Sequence, residues 1–218
     1  MANPTPQSVD PAALAKVNAE AKDITNRAFA AEMAGELAEA LSLHGQALTR
    51  RLEGGTSNST ESVDAAINYN GLADIYLRLG VMDMAEESLK LALKIRDYIA
   101  YGGRELGPPQ AAAATRDKLG RVFEARGDFE KAREIRLRGA AMGETLCGNA
   151  SCSTPGGALL HTRDLKGCSA CKSVFYCSPA CQKKDWVKRH KPLCKAYIAS
   201  QTSGRSFKRH INSNEIKQ

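Results

Sequence analysis

The feature that most restricts this chain is where its cysteines fall. All seven lie from Cys147 to Cys194 and none precedes them in a chain of 218 residues. Seven is odd, so a full disulfide framework would leave one thiol over. With His190 the count becomes eight, which is two complete tetrahedral donor sets. The donors come in four pairs. Four residues separate Cys147 from Cys152, two separate Cys168 from Cys171, three separate Cys177 from Cys181, and three separate His190 from Cys194. Donors with two residues between them share a metal from a tight turn, and donors four positions apart share one from a single face of a helix. Ser178-Pro179 reads as an N-cap followed by proline at the first helical position, so Cys181 begins a helix, and His190 and Cys194 lie on one face of a later turn. The pattern predicts two zinc ions held by Cys147, Cys152, Cys168, Cys171, Cys177, Cys181, His190 and Cys194. Spacing leaves open whether consecutive or alternate pairs share an ion, because Cys171 and Cys177 are only six positions apart.

Metal also explains how this segment can fold. About fifty residues with few large apolar side chains cannot build an adequate core, whereas structural zinc contributes roughly 10–16 kcal/mol in small finger peptides. Chelation is therefore expected to unfold residues 147–197 and leave the helical part standing. Four protein donors close each site, whereas a catalytic zinc keeps one position for water. The zinc is expected to be structural and the chain not to be an enzyme; no catalytic residue and no glycine-rich phosphate loop is found.

Charge changes at the same boundary. Residues 1–146 carry 18 Lys+Arg against 21 Asp+Glu, a net of −3, while residues 147–197 carry +7 and residues 198–218 carry +3. The first residues, Met1-Ala2-Asn3-Pro4-Thr5-Pro6, have neither the basic nor the apolar part of a signal peptide. No run approaches the ~18 apolar residues that span a bilayer. Zinc thiolates need a reducing setting, so a cytoplasmic or nuclear location is expected and no membrane association. Asn58-Ser59-Thr60 and Asn149-Ala150-Ser151 match the glycosylation pattern, which in a chain of that location is chance.

Residues 10–144 read as helix, after a flexible stretch over 1–9. Loops are marked by Gly54-Gly55-Thr56-Ser57-Asn58 and by Gly102 to Pro109. Three blocks remain, and they align on a glycine. The first has Ala28, Ala31, Gly35, Ala40 and Ala47-Leu48. The second has Leu72-Ala73, Tyr76, Gly80, Ala85, Leu89 and Ala92-Leu93. The third has Leu119-Gly120, Phe123, Gly127, Ala132 and Gly139-Ala140. Each block suits two antiparallel helices, with the glycine ending the first. Asp83 with Glu86 reads as a capping-box-like start for a second helix, and Asp128 as a cap in the third block.

These positions resemble the tetratricopeptide (TPR) repeat, over residues 24–143. The third block departs where Arg136 stands at a large apolar position, the first lacks the Leu and Tyr, and the spacing exceeds the family's usual 34 residues. The fold class expected is mainly α: a TPR-like solenoid of helical hairpins, then a small double-zinc finger, then a basic disordered tail over 198–218. The resemblance implies a scaffold that holds a second protein partner. His44 reads as an ordinary helix-face histidine.

The cysteine-rich segment resembles the MYND-type zinc finger. The residues that carry this are Phe175, Tyr176-Cys177, Cys181-Gln182, Trp186, His190 and Cys194, with Cys168 and Cys171. The first pair departs, with four residues between its cysteines where the family usually has two, and a long stretch containing Pro155-Gly156-Gly157 follows. The resemblance implies alternate pairing: one zinc on Cys147, Cys152, Cys177 and Cys181, the other on Cys168, Cys171, His190 and Cys194. It also implies capture of proline-rich peptides, with Gln182 and Trp186 on the binding surface. Trp186, the chain's one tryptophan, can offer a flat platform to a preordered proline segment.

The rival reading is nucleic-acid binding through Lys183, Lys184, Lys188, Arg189, Lys191 and Lys195, continued by Arg205, Lys208 and Arg209. Seven thiolates and two dications remove three positive charges from the finger, and no recognition-helix pattern is present, so the protein-interaction reading is preferred. His161 lies in the long loop outside the donor set, and His210 lies in the tail.

Overall fold

In the computed structural model the described residues are 10–53, 62–97, 107–138, 143–153 and 159–202. The N-terminal stretch 1–9, the Gly54–Asn58 break, most of the Gly102 loop, Gly139-Ala140, Pro155-Gly156-Gly157 and the tail with Arg205, Lys208, Arg209 and His210 lie outside them. No helix among the described residues is long and apolar enough to cross a membrane. The chain divides into two compact units, Met1–Pro108 and Pro109–Gln218.

The first unit holds two helical hairpins. Helix α1 (Pro11–Ala34) packs on α2 (Leu37–Glu53), α3 (Val63–Leu79) packs on α4 (Met82–Arg96), and α2 also packs on α3. Gly35 and Gly80 end α1 and α3 in the left-handed region, at φ 85° and 76°. Each turns the chain sharply while its N–H returns to carbonyls of the preceding turn. The cores are small-residue cores: Ala28, Ala31 and Ala40 with Leu43 and Ile75, and Ala65, Ala66 and Ala92 with Ile95. Alanine at these faces lets helix axes come close, at the cost of little apolar area per residue.

Two positions differ from the sequence expectation. Helix α4 begins one residue before Asp83, and its N-cap is Val81, which makes no side-chain capping bond. Asp83 instead sits in the first turn, where its charge complements the helix dipole. His44, expected as an ordinary helix-face histidine, is fully buried and paired. Its Nδ1 lies 2.9 Å from Asn68 Oδ1 and its Nε2 2.6 Å from Glu32 Oε1. Gly71 makes room for the ring, since a Cβ there would fall 2.2 Å from His44 Nε2.

The second unit opens with a third hairpin, α5 (Pro109–Ala125) and α6 (Phe129–Leu137). Gly127 turns the chain at φ 79°, and the Asp128 carboxylate caps α6 by accepting from the Lys131 N–H at 3.0 Å. The cysteine-rich segment follows. Strands β1 (Glu144–Thr145) and β2 (Leu160–His161) pair antiparallel, as do β3 (Lys166–Gly167) and β4 (Phe175–Tyr176). Helix α7 (Pro179–Asp185) leads through a π turn, Trp186–His190, into α8 over residues 191–202. The step in charge and cysteine content near residue 146 thus falls inside this unit. Its core is shared: Phe129 of α6 is buried in one cluster with Cys168, Cys171, Val174, Tyr176, Cys181 and Cys194.

Candidate metal centre

Local backbone structure brings each donor pair together. The β3–β4 hairpin carries Cys168 and Cys171 on a tight turn. There the Cys168 N–H donates to Val174 O at 2.9 Å and the Lys172 N–H to Cys168 O at 2.9 Å, with Lys172 in the left-handed region at φ 61°. Ser178 caps α7, its Oγ accepting from the Cys181 N–H at 3.2 Å, and Pro179 follows at the first helical position. The cap fixes Cys177 just outside the helix and Cys181 in its first turn. The π turn then delivers His190 and the start of α8 delivers Cys194.

The four residues between Cys147 and Cys152 are taken up by a turn around Asn149. Its Oδ1 accepts from the Ser151 N–H at 3.1 Å, and its carbonyl accepts from the Cys152 N–H at 2.9 Å. Its Nδ2 reaches Cys181 Sγ at 3.3 Å. Asn149 is buried, so its side chain faces a sulfur rather than the surface that glycosylation needs. Gly148 is required beside it: a Cβ there would lie 2.2 Å from Val174 Cγ1.

The eight donors form two groups by alternate pairs. Cys147, Cys152, Cys177 and Cys181 make the outer cluster; Cys168, Cys171, His190 and Cys194 make the inner one; within each, the donor atoms all lie within 4.8 Å of one another. Tetrahedral zinc with sulfurs ~2.3 Å away sets those sulfurs ~3.8 Å apart. In the outer cluster the three distances among Cys152, Cys177 and Cys181 are each 3.6 Å. In the inner cluster Cys168 and Cys194 sulfurs are 3.9 Å apart, and Cys171 Sγ is 3.3 Å from His190 Nε2. These separations fit zinc and are far from the ~2.05 Å of a disulfide. Both clusters could therefore hold one zinc ion each.

The electrostatics point the same way. Burial pushes the Cys147 thiol up, and burial together with Cys168 pushes Cys194 up to about 11. The Asn149 amide, foremost, pulls Cys181 down to about 6. Crowded sulfurs of this kind cannot all ionise without a cation, and a dication makes thiolates of them. His190 is fully buried, and its Nδ1 has no hydrogen-bond partner among the described residues. Its ring is set by packing, with Phe129 at 6.3 Å and Trp186 at 5.8 Å between centroids.

Gln182 and Trp186 lie together on a shallow groove of about 440 Å³ lined also by Cys168, Ser169, Ala170, Pro179 and Lys183. Trp186 is half-buried: one part of it packs on the metal-bearing core and the rest faces the groove. Lys183, Lys184, Lys188, Lys191 and Lys195 are exposed. Arg189 does not belong with them. Its Nε and Nη2 donate to the Asp185 carboxylate at 3.0 and 2.9 Å, and its Nη1 donates to Glu124 of α5.

That contact is part of a network the sequence reading did not find. Arg136 donates from Nε to Asp117 Oδ1 and from Nη1 to Glu124 Oε1, both at 2.8 Å, and from Nη1 to the Ser173 carbonyl at 2.9 Å. Ser173 Oγ donates to Glu124 Oε1 at 2.8 Å, and Tyr176 OH donates to Asp185 Oδ2 at 2.7 Å. Burial raises the Glu124 carboxyl, but Arg136 and Arg189 outweigh it and hold it down at about 2. Asp117 is likewise held below the carboxylate range by Arg121 and Arg136 against its burial. Two signals pointed here: a cation at an apolar repeat position, Arg136, and a lone acid in a basic run, Asp185.

A closed double-zinc module, built onto a helical hairpin, is the class of site this geometry defines. Residues 147–194 match the family model of the MYND finger, and the chain carries that finger. Two curated proteins of Arabidopsis thaliana are similar to part of the chain. Ubiquitin carboxyl-terminal hydrolase 19 is 53% identical over 38 residues, 17% of this chain and 6% of that protein. Histone-lysine N-methyltransferase ASHR1 is 46% identical over 46 residues, 21% of this chain and 9% of that protein. The chain thus spans less than a tenth of the length of either relative. No solved structure matches it significantly.

Proposed function

We propose that the chain is a non-catalytic adaptor whose MYND finger captures proline-rich segments of partner proteins in the groove formed by Gln182 and Trp186. The observation that carries this is the Trp186 groove. A half-buried indole with a neighbouring amide, beside Ala170 and Pro179, suits an extended segment that brings little conformational entropy to lose. The helical hairpins, read as TPR-like repeats, would give a second protein-binding surface, so the chain could bridge two partners. Four protein donors per cluster support a structural role for the zinc. The matches to the hydrolase and the methyltransferase cover 6% and 9% of those proteins, so neither activity is extended to this chain. The reducing requirement of the thiolates supports a cytoplasmic or nuclear setting.

The test is calorimetry of the full zinc-loaded chain with proline-rich peptides, comparing wild type with Trp186→Ala. Binding that drops tenfold or more in the variant supports the reading. Equal binding by both proteins removes the groove from it. Binding of nucleic acid instead, falling steeply with salt, would favour the exposed lysines as the working surface; with Arg189 paired to two carboxylates, that surface has one cation fewer than its sequence suggests.

A further inference from the structure

The two clusters differ in cover. In the outer one Cys147, Cys152 and Cys177 are half-buried and only Cys181 is buried, whereas all four inner donors are buried, His190 completely. Trp186 covers one side of His190, and further cover comes from the α5–α6 hairpin. Phe129, the first residue of α6, is 1% exposed; it faces His190 and stacks on Tyr197 of α8 at 4.5 Å between centroids. On another side, Ser173 Oγ lies 3.4 Å from Cys171 Sγ, and Ser173 is held twice from the hairpin. The Glu124 carboxylate accepts the hydrogen bond of its hydroxyl, and Arg136 donates to its carbonyl. Gly120 keeps space for this, because a Cβ there would fall 2.8 Å from Arg136 Cζ.

The hydroxyl has one proton and two acceptors, the Glu124 carboxylate and the Cys171 sulfur. When Cys171 is a thiolate on zinc, Ser173 can turn its proton to the sulfur. Glu124 then keeps the guanidinium donors of Arg136 and Arg189 and is not left bare. Arg189 also belongs to the π turn that ends at His190, so the same carboxylate steadies two of the four inner ligands.

We propose that the α5–α6 hairpin is a retaining element for the inner zinc. Glu124 and Arg136 act as positioning residues for Cys171 and His190, and Phe129 shuts the site against water and competing chelators. The outer zinc, with three half-buried sulfurs, exchanges more readily.

The full chain loaded with cadmium tests this, because a four-sulfur site and a three-sulfur, one-nitrogen site give separate cadmium NMR resonances. Under an EDTA challenge the four-sulfur resonance of wild type should vanish first. Glu124→Gln should speed loss of the inner ion roughly tenfold, the lower end of the affinity loss caused by removing a direct partner of a metal ligand, because it acts on Cys171 and His190 through Ser173 and Arg189, and leave the outer rate within twofold. Ser173→Ala, which keeps the ion pairs and so keeps the fold if Glu124→Gln loosens it, should speed the inner loss several-fold. The proposal is overturned if wild type loses both ions at one rate. It is equally overturned if Ser173→Ala leaves the inner rate unchanged, or if Glu124→Gln speeds both sites alike.

Discussion

The outer and inner clusters draw on similar donors from the same short segment, yet they are stabilised differently. The outer cluster is tied by what lies within the segment itself: the Asn149 turn, the Ser178 cap and the Gly148 contact with the Phe175 carbonyl. The inner cluster leans on residues up to 65 positions away, through Glu124 and Arg189. A small metal module can order its ligands locally, but sinking one ion out of solvent takes more side chains than about fifty residues supply. Here α5 and α6 supply them, with one aromatic ring and a set of paired charges.

Metal removal should show the difference most strongly, since structural zinc contributes roughly 10–16 kcal/mol in finger peptides. Because Phe129 shares its core with four of the cysteines, chelation should loosen α5 and α6 along with the finger and leave α1–α4 ordered. This narrows the sequence-based expectation that the whole helical part stands. Amide hydrogen exchange before and after EDTA gives the answer: protection retained at residues 110–135 of the metal-free chain would separate hairpin from finger. Ligand by ligand, Cys171→Ser should reproduce the loss at α5–α6, whereas Cys152→Ser should confine it to the loop around Asn149.

Next in size is the charge network. Arg136→Ala leaves Asp117 and Glu124 buried with one cation fewer, and breaking a buried pair in this way costs about 3–5 kcal/mol. Urea unfolding of the zinc-loaded chain, followed in the second unit, measures it. A loss below ~1 kcal/mol would mean that water replaces the guanidinium and that the network does not bind hairpin to finger. Arg136→Met should cost less than Arg136→Ala, because it keeps much of the volume beside Gly120.

How much of this was legible in the sequence follows the range of the interactions. Gly35, Gly80 and Gly127 were readable as helix ends because a left-handed turn is a local demand that glycine meets best. Asp128 and Ser178 were readable as caps for the same reason. Asp83 stands two positions past the N-cap it was read as, since a capping residue and a first-turn acid look alike until the backbone bends are known. The donors were legible as types and pairs, but which pairs share an ion depends on how β3–β4 folds between Cys152 and Cys177, and spacing does not encode that. Arg136 looked like a flaw in a repeat and Arg189 like one cation of a solvent stripe. Each is explained by Glu124, 12 and 65 positions away, which no local pattern reveals. His44 looked like an ordinary helix-face residue because Glu32, Asn68 and the gap at Gly71 meet only after the hairpins pack.

On the outer side, Asn149→Ala removes the amide bond to the Cys181 sulfur and the turn that spans the four extra residues. Losing a hydrogen bond to a charged acceptor costs about 1.5–3 kcal/mol. In cadmium NMR with limiting chelator, the outer ion should leave faster and the inner rate should not move. A matching change at both sites would show that the clusters are one cooperative unit and that the contrast between them is one of exposure alone.

The smallest effect expected is a null one with a definite sign behind it. The Glu124 carboxyl is depressed in the folded chain, from an ordinary 4.5 to about 2. A depressed carboxyl contributes its stability in full above the unfolded value and loses it as pH falls from there through the folded one. At pH 5, still above the ordinary carboxyl value, nearly all of that contribution therefore remains. With zinc in excess, the stability gap between wild type and Glu124→Gln should be the same at both pH values, even though both proteins weaken as thiolates and His190 compete with protons for the metal. A gap that closes between pH 7 and pH 5 would mean that Glu124 takes up a proton in the folded chain there. Two guanidiniums against one buried carboxylate do not permit that, so such a result would place Arg136 or Arg189 elsewhere in solution and take the cover off the inner cluster.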